Sequence, residues 1–511
     1  MRSRAALEIS STLLVRNGMF NLAAQVVPFV IGLVSVPAIV HGLGTERFGV
    51  LIFTWTLLGT FSVFDLGLGW AVTKFVAEAL GRGDRSVIPG IVWSGVGGQA
   101  LFGTIGGAVL IIGAAPLALR FLHVAPEHHA EAIRAFQIVG LTLPIVLISV
   151  SFRGALEAAQ RFELSAAAKA VSSASTYLVP AGGVLAGWGL PGILGALLGV
   201  RFLLLAATAA ACVRVFGLPL APRLLDRDRM RRLASFGAWV AVSGLVGLTL
   251  SADRFLIGNA LTMTALTYYT IPLVLIGRLT SLAGNLASVL FPAFSTLNAQ
   301  DLDRVRLLFG RTVKYVILLA GPVFGLVAVT ARDILRVWLG DAIAAQTTPI
   351  LQILSAGAML QVLAIIPYTL LQGCGRSDLT ARFHLIEAPL YLGAVWWLVQ
   401  SQGIRGVAAA WSARSALELS LLLWAAKRHG GWRREAMPSV LKRVVAPVVA
   451  LCVLAAAAHA LPGALIYRSA LVATLVVMFA LWVRTSALSA DERRWLLGLL
   501  ASWRRAQVGP R

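Results

Sequence analysis

The sequence predicts an all-α polytopic membrane protein, and three observations predict it. About fourteen apolar segments of roughly twenty residues run through the chain, the length that crosses a hydrocarbon core of about 30 Å at 1.5 Å rise per residue. They account for a composition that is 58% hydrophobic and only 13% charged, with mean hydropathy +0.83. The loops between them alternate in positive charge, and no stretch remains that would form a separate soluble domain.

In order, the segments fall near 18–40, 49–70, 88–112, 134–152, 168–187, 191–213, 237–258, 266–291, 312–331, 350–371, 383–400, 404–425, 444–461 and 468–485. The first carries Asn21, Pro28 and Pro37 without a small-residue cleavage site, so it reads as a retained span rather than a signal peptide. Spans one to six form an expected N-lobe, 1–220. A basic stretch with Pro219, Pro222 and DRDRMRR reads as a surface-lying linker into an expected C-lobe, 221–425, of spans seven to twelve. At an offset of about 220 residues the loops of the halves correspond, HGLGTERFGV (41–50) with NALTMTALTYY (259–269) among them. Six spans per half is an even number, so equivalent helices point the same way, a parallel pseudo-two-fold repeat with substrate expected where the halves meet. The last two spans have no repeat partner and belong with the tail in 426–511. Within that tail Ser489 and Glu492 form a capping box. Trp495, Leu496, Leu499 and Trp503 then share a face, which predicts an interfacial amphipathic helix.

The formal charge of +22 would suggest nucleic acid in a soluble protein. Its distribution gives another reading. With the N-terminus inside, about 33 of the 44 Lys and Arg fall on the cytoplasmic side and about eight on the other. That bias places both termini in the cytoplasm and sets the basic loops against anionic lipid, with no nucleic-acid partner. Cys212, Cys374 and Cys452 are far apart in sequence and form no CxxC pair.

No GxxxxGK[ST], HExxH or GxSxG motif occurs, so neither ATP hydrolysis, a metal site, a cofactor nor an enzyme nucleophile is expected. His128 and His129 beside Glu127 and Glu131 read as a solvated loop.

Ionisable groups within spans are costly in lipid, so each is a functional candidate. Arg278 sits midway along the eighth span, with Ser281, Asn285 and Ser288 on its face. Asn17, Asn21 and Gln25 line the first span. Thr54, Ser62 and Asp65 line the second, and Ser243, Gly247, Ser251 and Arg254 the seventh. As a set these stripes suggest a water-filled, substrate-binding cavity. Singly, a Ser or Asn is better explained by interhelical hydrogen bonding. Arg201 has no carboxylate nearby in sequence and is assigned to the substrate path, whereas Arg414 has Glu418 at i+4 for a local ion pair. Asp65, in FDLGLG, fits either a helix cap or an ion-coupling group. Glu387 with His384, and Glu418, are further ion-coupling candidates. Asp253 and Arg254 are expected at the interface.

The run 17–78 resembles the opening of bacterial polysaccharide-transport proteins, the Wzx-type flippases of the multidrug/oligosaccharidyl-lipid/polysaccharide (MOP) exporter superfamily. The carrying residues are Asn21, the loop Leu43-Gly44 with Phe48-Gly49, and the turn Asp65 to Leu68. Further echoes are Arg153-Gly154 with Gln160-Arg161-Phe162, Asp253 to Gly258, Tyr268-Tyr269 and Trp338-Leu339-Gly340. The resemblance implies a V-shaped bundle of two six-helix lobes plus two helices, in a bacterial inner membrane. It implies alternating access around a central cationic cavity that passes polyprenyl-diphosphate-linked oligosaccharide from the cytoplasmic to the periplasmic leaflet. Partners would be membrane lipids and the polymerase and glycosyltransferases of the pathway. Two other readings stay open. One is a cation-coupled small-molecule exporter of the same superfamily, which would rely on acidic cavity residues. The other is a non-transporting scaffold or polymerase of a polysaccharide pathway.

Overall fold

The computed structural model describes residues 28–61, 65, 67–219, 231, 233, 251–298, 302–429, 437–460 and 465–487. The expectations for Asn17, Asn21, Gln25, Ser62, Ser243, Gly247 and the tail helix lie outside them. Among the described residues every regular element is helical. Six helices are long and apolar enough to cross a bilayer: Arg85–Phe121, Pro126–Ala158, Leu190–Phe216, Arg304–Val329, Asp341–Gly373 and Tyr467–Ala487. The chain divides into two compact units, Met1–Thr270 and Ile271–Arg511.

The first unit holds α1 (Pro28–Leu43), α2 (Thr45–Phe61), α3 (Leu68–Gly81), α4 (Ile88–Pro116), α5 (His129–Ala158), α6 (Phe162–Leu185), α7 (Leu190–Phe216) and α8 (Ala252–Ala260). The segment expected at 49–70 is not one helix. Helix α2 is described to Phe61, and α3 begins after Gly67, whose φ of 67° is left-handed backbone that a residue with a Cβ adopts at a cost.

Small residues let the helices approach closely, as they must where lipid outside is as apolar as the protein inside. A Cβ on Gly107 would strike the Gly140 carbonyl, one on Gly140 would strike Gly107, and one on Gly103 would strike the Pro144 backbone. Helices α4 and α5 therefore touch backbone to backbone. Large apolar side chains point outward instead: Ile112 is 79% exposed and Val34 73%. This is the distribution of a protein whose surroundings are hydrocarbon rather than water.

The second unit continues along α9 (Met263–Asn298), which begins in the first, through α10 (Leu302–Val329), α11 (Ala331–Leu339) and α12 (Asp341–Gly373). It ends with α13 (Ser377–His429), α14 (Met437–Ala460) and α15 (Leu465–Trp482). The 53 residues of α13 are two helices that meet at Gly403, where φ is 61° and ψ −145°. That break separates the spans expected at 383–400 and 404–425. Helix α12 packs on the second half of α13 where Gly357 admits Ser412, whose hydroxyl donates to the Ile353 carbonyl at 2.8 Å.

Candidate functional site: cations within the helices

The first unit places two arginines in one cleft. Helix α5 extends beyond the expected end of its span at 152, so Arg153 lies inside the helix, one turn beyond Ser149 and two beyond Val146. These three residues, Ser172 of α6, and Arg201 and Thr208 of α7 line a small, partly open cleft, completed by Ala168 and Leu204. Both arginines are partly buried, and neither forms an ion pair with a described residue. The carboxylates near Arg153 are committed elsewhere. Glu157 accepts from Lys169 Nζ at 2.6 Å and from the Ser165 hydroxyl. Asp65 accepts from the Gly69 backbone N–H at 3.0 Å and from the Gln99 amide. Asp65 therefore acts as a cap at the start of α3. Its charge and that of Glu157 still act on Arg153 across space.

Arg201 is the arginine expected on the substrate path, and Arg153, which lies just past the expected span 134–152, joins it. The signal for Arg153 is the i, i+4 pairing with Ser149, hidden because α5 runs on to Ala158, six residues past the expected end of the span.

Arg278 is partly buried in α9 with no ion pair to a described residue. The Ser281 hydroxyl, expected to share its polar face, donates instead to the Arg278 carbonyl at 2.8 Å. Asn285 is in the same helix, its side chain outside the described set. Ser251 sits in the turn before α8, and its carbonyl accepts from Arg254 N–H at 3.3 Å. Arg254 keeps its Nε buried and without a hydrogen bond among the described residues.

Asp253, expected at the interface, is 1% exposed. The Tyr269 hydroxyl donates to it at 2.6 Å, and Arg254 N–H at 2.8 Å. A carboxylate so supplied with donors is tolerated inside.

The loop at His128 is likewise packed rather than solvated. Glu131 accepts from Arg47 Nε and from Leu190 N–H, each at 2.7 Å. Glu46 accepts from Ala125 N–H and Thr264 N–H, each at 3.1 Å, and from the Thr264 hydroxyl at 2.8 Å. Each carboxylate thus satisfies a free N–H in the first turn of another helix, α7 or α9, where the helix dipole favours negative charge. The pairing joins distant segments, so no local spacing announces it.

In the second unit the two halves of α13 build one ionic cluster. Arg414 donates to Glu418 at 3.0 Å and stands 3.7 Å from Glu387. His384 is 3.7 Å from the same Glu387 oxygen. Arg414 and Glu387 are almost fully buried. The ligand atoms of His384, Glu387 and Glu418 lie within 4.8 Å of one another, a spacing that suits a metal ion. The Arg414 guanidinium already supplies the positive charge between them.

The chain resembles known proteins along most of its length. The model of the family described as "Polysaccharide biosynthesis protein" matches residues 98–346. A Shigella flexneri protein described as a candidate O-antigen transporter is 24% identical over 415 residues, 80% of this chain and 97% of that protein. The structure of the lipid II flippase MurJ in an inward closed conformation superposes with a TM-score of 0.70 at 13% identity, covering 91% of this chain and 99% of that one. A multidrug resistance MATE family transporter of the MOP superfamily, inward-facing, superposes at 0.62 and 14% identity, covering 82% and 95%. The chain shares the fold of these transporters, and its apolar helices make it a multi-pass membrane protein. Both the family model and the Shigella relative make the chain similar to polysaccharide-transport proteins.

Proposed function

We propose that this protein is a flippase that carries a polyprenyl-diphosphate-linked oligosaccharide from the cytoplasmic to the periplasmic leaflet of a bacterial inner membrane by alternating access. The observation that carries this reading is the sign of the unpaired charge within the helices. Arg201 and Arg278 form no ion pair with a described residue, Arg153 feels Glu157 and Asp65 only across space, and an ionised group held in a span needs an opposite charge from somewhere. A diphosphate supplies it. The carboxylates that a cation-exchanging drug exporter would use are otherwise engaged. Asp65 caps α3, and Glu387 and Glu418 surround Arg414. We assign Arg278 and Arg201 to the headgroup, with Arg254, Ser251, Asn285, Asn21 and Gln25 as further contacts, and expect both termini in the cytoplasm. Polymerase and glycosyltransferases of the same pathway are the expected partners.

Purified protein in proteoliposomes with lipid-linked glycan tests the reading. The Arg278→Ala variant should insert normally and lose most flipping. Flipping at the wild-type rate would remove Arg278 from the mechanism, and no flipping by the wild type would refute the function.

A further inference from the structure

The Arg153–Arg201 cleft is a binding site in its own right. We infer that it holds the phosphate of a lipid, within the first unit alone, between α5, α6 and α7. The inference deepens the proposed function and rests on that reading only for the source of the lipid.

Four features define the ligand's chemistry. Two guanidinium groups from different helices face one space, which suits an oxyanion that can take several charge-assisted hydrogen bonds. No carboxylate lines the space, and the neighbouring ones are occupied by Lys169, Ser165, Gly69 and Gln99. The cleft therefore carries net positive charge. Ser172 adds a hydroxyl that has no hydrogen-bond partner among the described residues, whereas those of Ser149 and Thr208 donate to their own helices. Val146, Ala168 and Leu204 make the remaining wall apolar.

That last feature separates a lipid phosphate from free phosphate. The outer faces of the same helices are hydrocarbon, with Val171 of α6 50% exposed and Leu203 of α7 68%. A ligand with a phosphate in the cleft can therefore leave its tail along α6 and α7 without crossing a polar surface. No aromatic ring lines the cleft, so a platform for a sugar face is missing. The site fits a headgroup rather than a glycan.

Two lipids share this chemistry, the polyprenyl diphosphate carrier and a bulk anionic phospholipid. A wild-type experiment comes first. The full chain in nanodiscs of zwitterionic lipid is photolabelled with a diazirine-bearing polyprenyl diphosphate, and the labelled peptides are mapped. Label should concentrate in α5 to α7. Label confined to other helices would overturn the inference, whatever the variants do. The second arm measures binding of the same lipid. Arg153→Gln with Arg201→Gln should weaken it by more than about tenfold, as expected when charge-assisted contacts are lost. Arg201→Lys keeps the charge and should bind within a few-fold of wild type. Equal binding by the double Gln variant and the wild type would also overturn the site. Competition names the source. If phosphatidylglycerol fails to displace the probe, the site belongs to the carrier. Equal displacement assigns it to bulk lipid. Flipping is read separately. Binding without flipping refutes the transport reading and keeps the site, whereas flipping that survives the double variant with binding intact removes the site and keeps the reading.

Discussion

Asp65 shows how one side chain can carry two readings that only its neighbours separate. It stands before a helix that begins at a left-handed glycine, and it accepts from the backbone N–H of Gly69, an arrangement that satisfies a donor the helix cannot. Buried Gln99 adds a second donor. The cap reading makes a discriminating prediction. Asp65→Asn keeps an acceptor and should retain both melting temperature in detergent and flipping. Asp65→Ala should lose about 0.5–2 kcal/mol of stability, the range for a lost N-cap. If Asp65→Asn melted like wild type yet flipped nothing, a titrating role would replace the cap. Arg153 makes the converse point. Its type was visible in the sequence, but its surroundings were not, because the helix runs six residues past the expected span and carries Arg153 inside it.

Helix α13 is held as a hairpin by its own charges. Gly403 turns the chain, and Arg414 on the second half then meets Glu387 on the first. Burying these groups is favourable only while all are matched. Arg414→Ala leaves two carboxylates in an apolar bundle and should destabilise the second unit by about 3–5 kcal/mol, the usual loss when one partner of a buried pair is removed. Thermal unfolding in detergent measures it. Replacing Arg414, Glu387 and Glu418 together with apolar residues should recover most of the loss. If the single variant melts unchanged, the cluster is hydrated rather than buried. The i+4 spacing of Arg414 and Glu418 was readable, since one helix fixes it. The Glu387 contact was not, because it depends on how two helices cross.

On the flippase reading proposed above, the charge on the cargo sets the energetics. Each negative charge carried outward across a membrane with a negative interior gains about 2.3 kcal/mol per 100 mV. Proteoliposomes given an inside-negative potassium diffusion potential should therefore accumulate the lipid-linked glycan in the outer leaflet, and collapsing the potential should remove that bias. An accumulation independent of the potential would mean that the diphosphate crosses with its charge neutralised.

Chain length, apolar periodicity and the placement of lysine and arginine were enough to fix an all-helical membrane protein and most helix positions, because a span must satisfy its own backbone and match the bilayer. The break within α13, between the expected spans 383–400 and 404–425, was equally local and so visible, whereas the one at Gly67, inside the expected span 49–70, was not. Which cations remain unpaired was decided by tertiary packing. Glu157 had to reach Lys169, Glu131 had to reach Leu190, and Arg153 had to come beside Arg201 from another helix. Such pairings depend on distance in space, and helix sequences specify their own faces far more firmly than the neighbours those faces will meet.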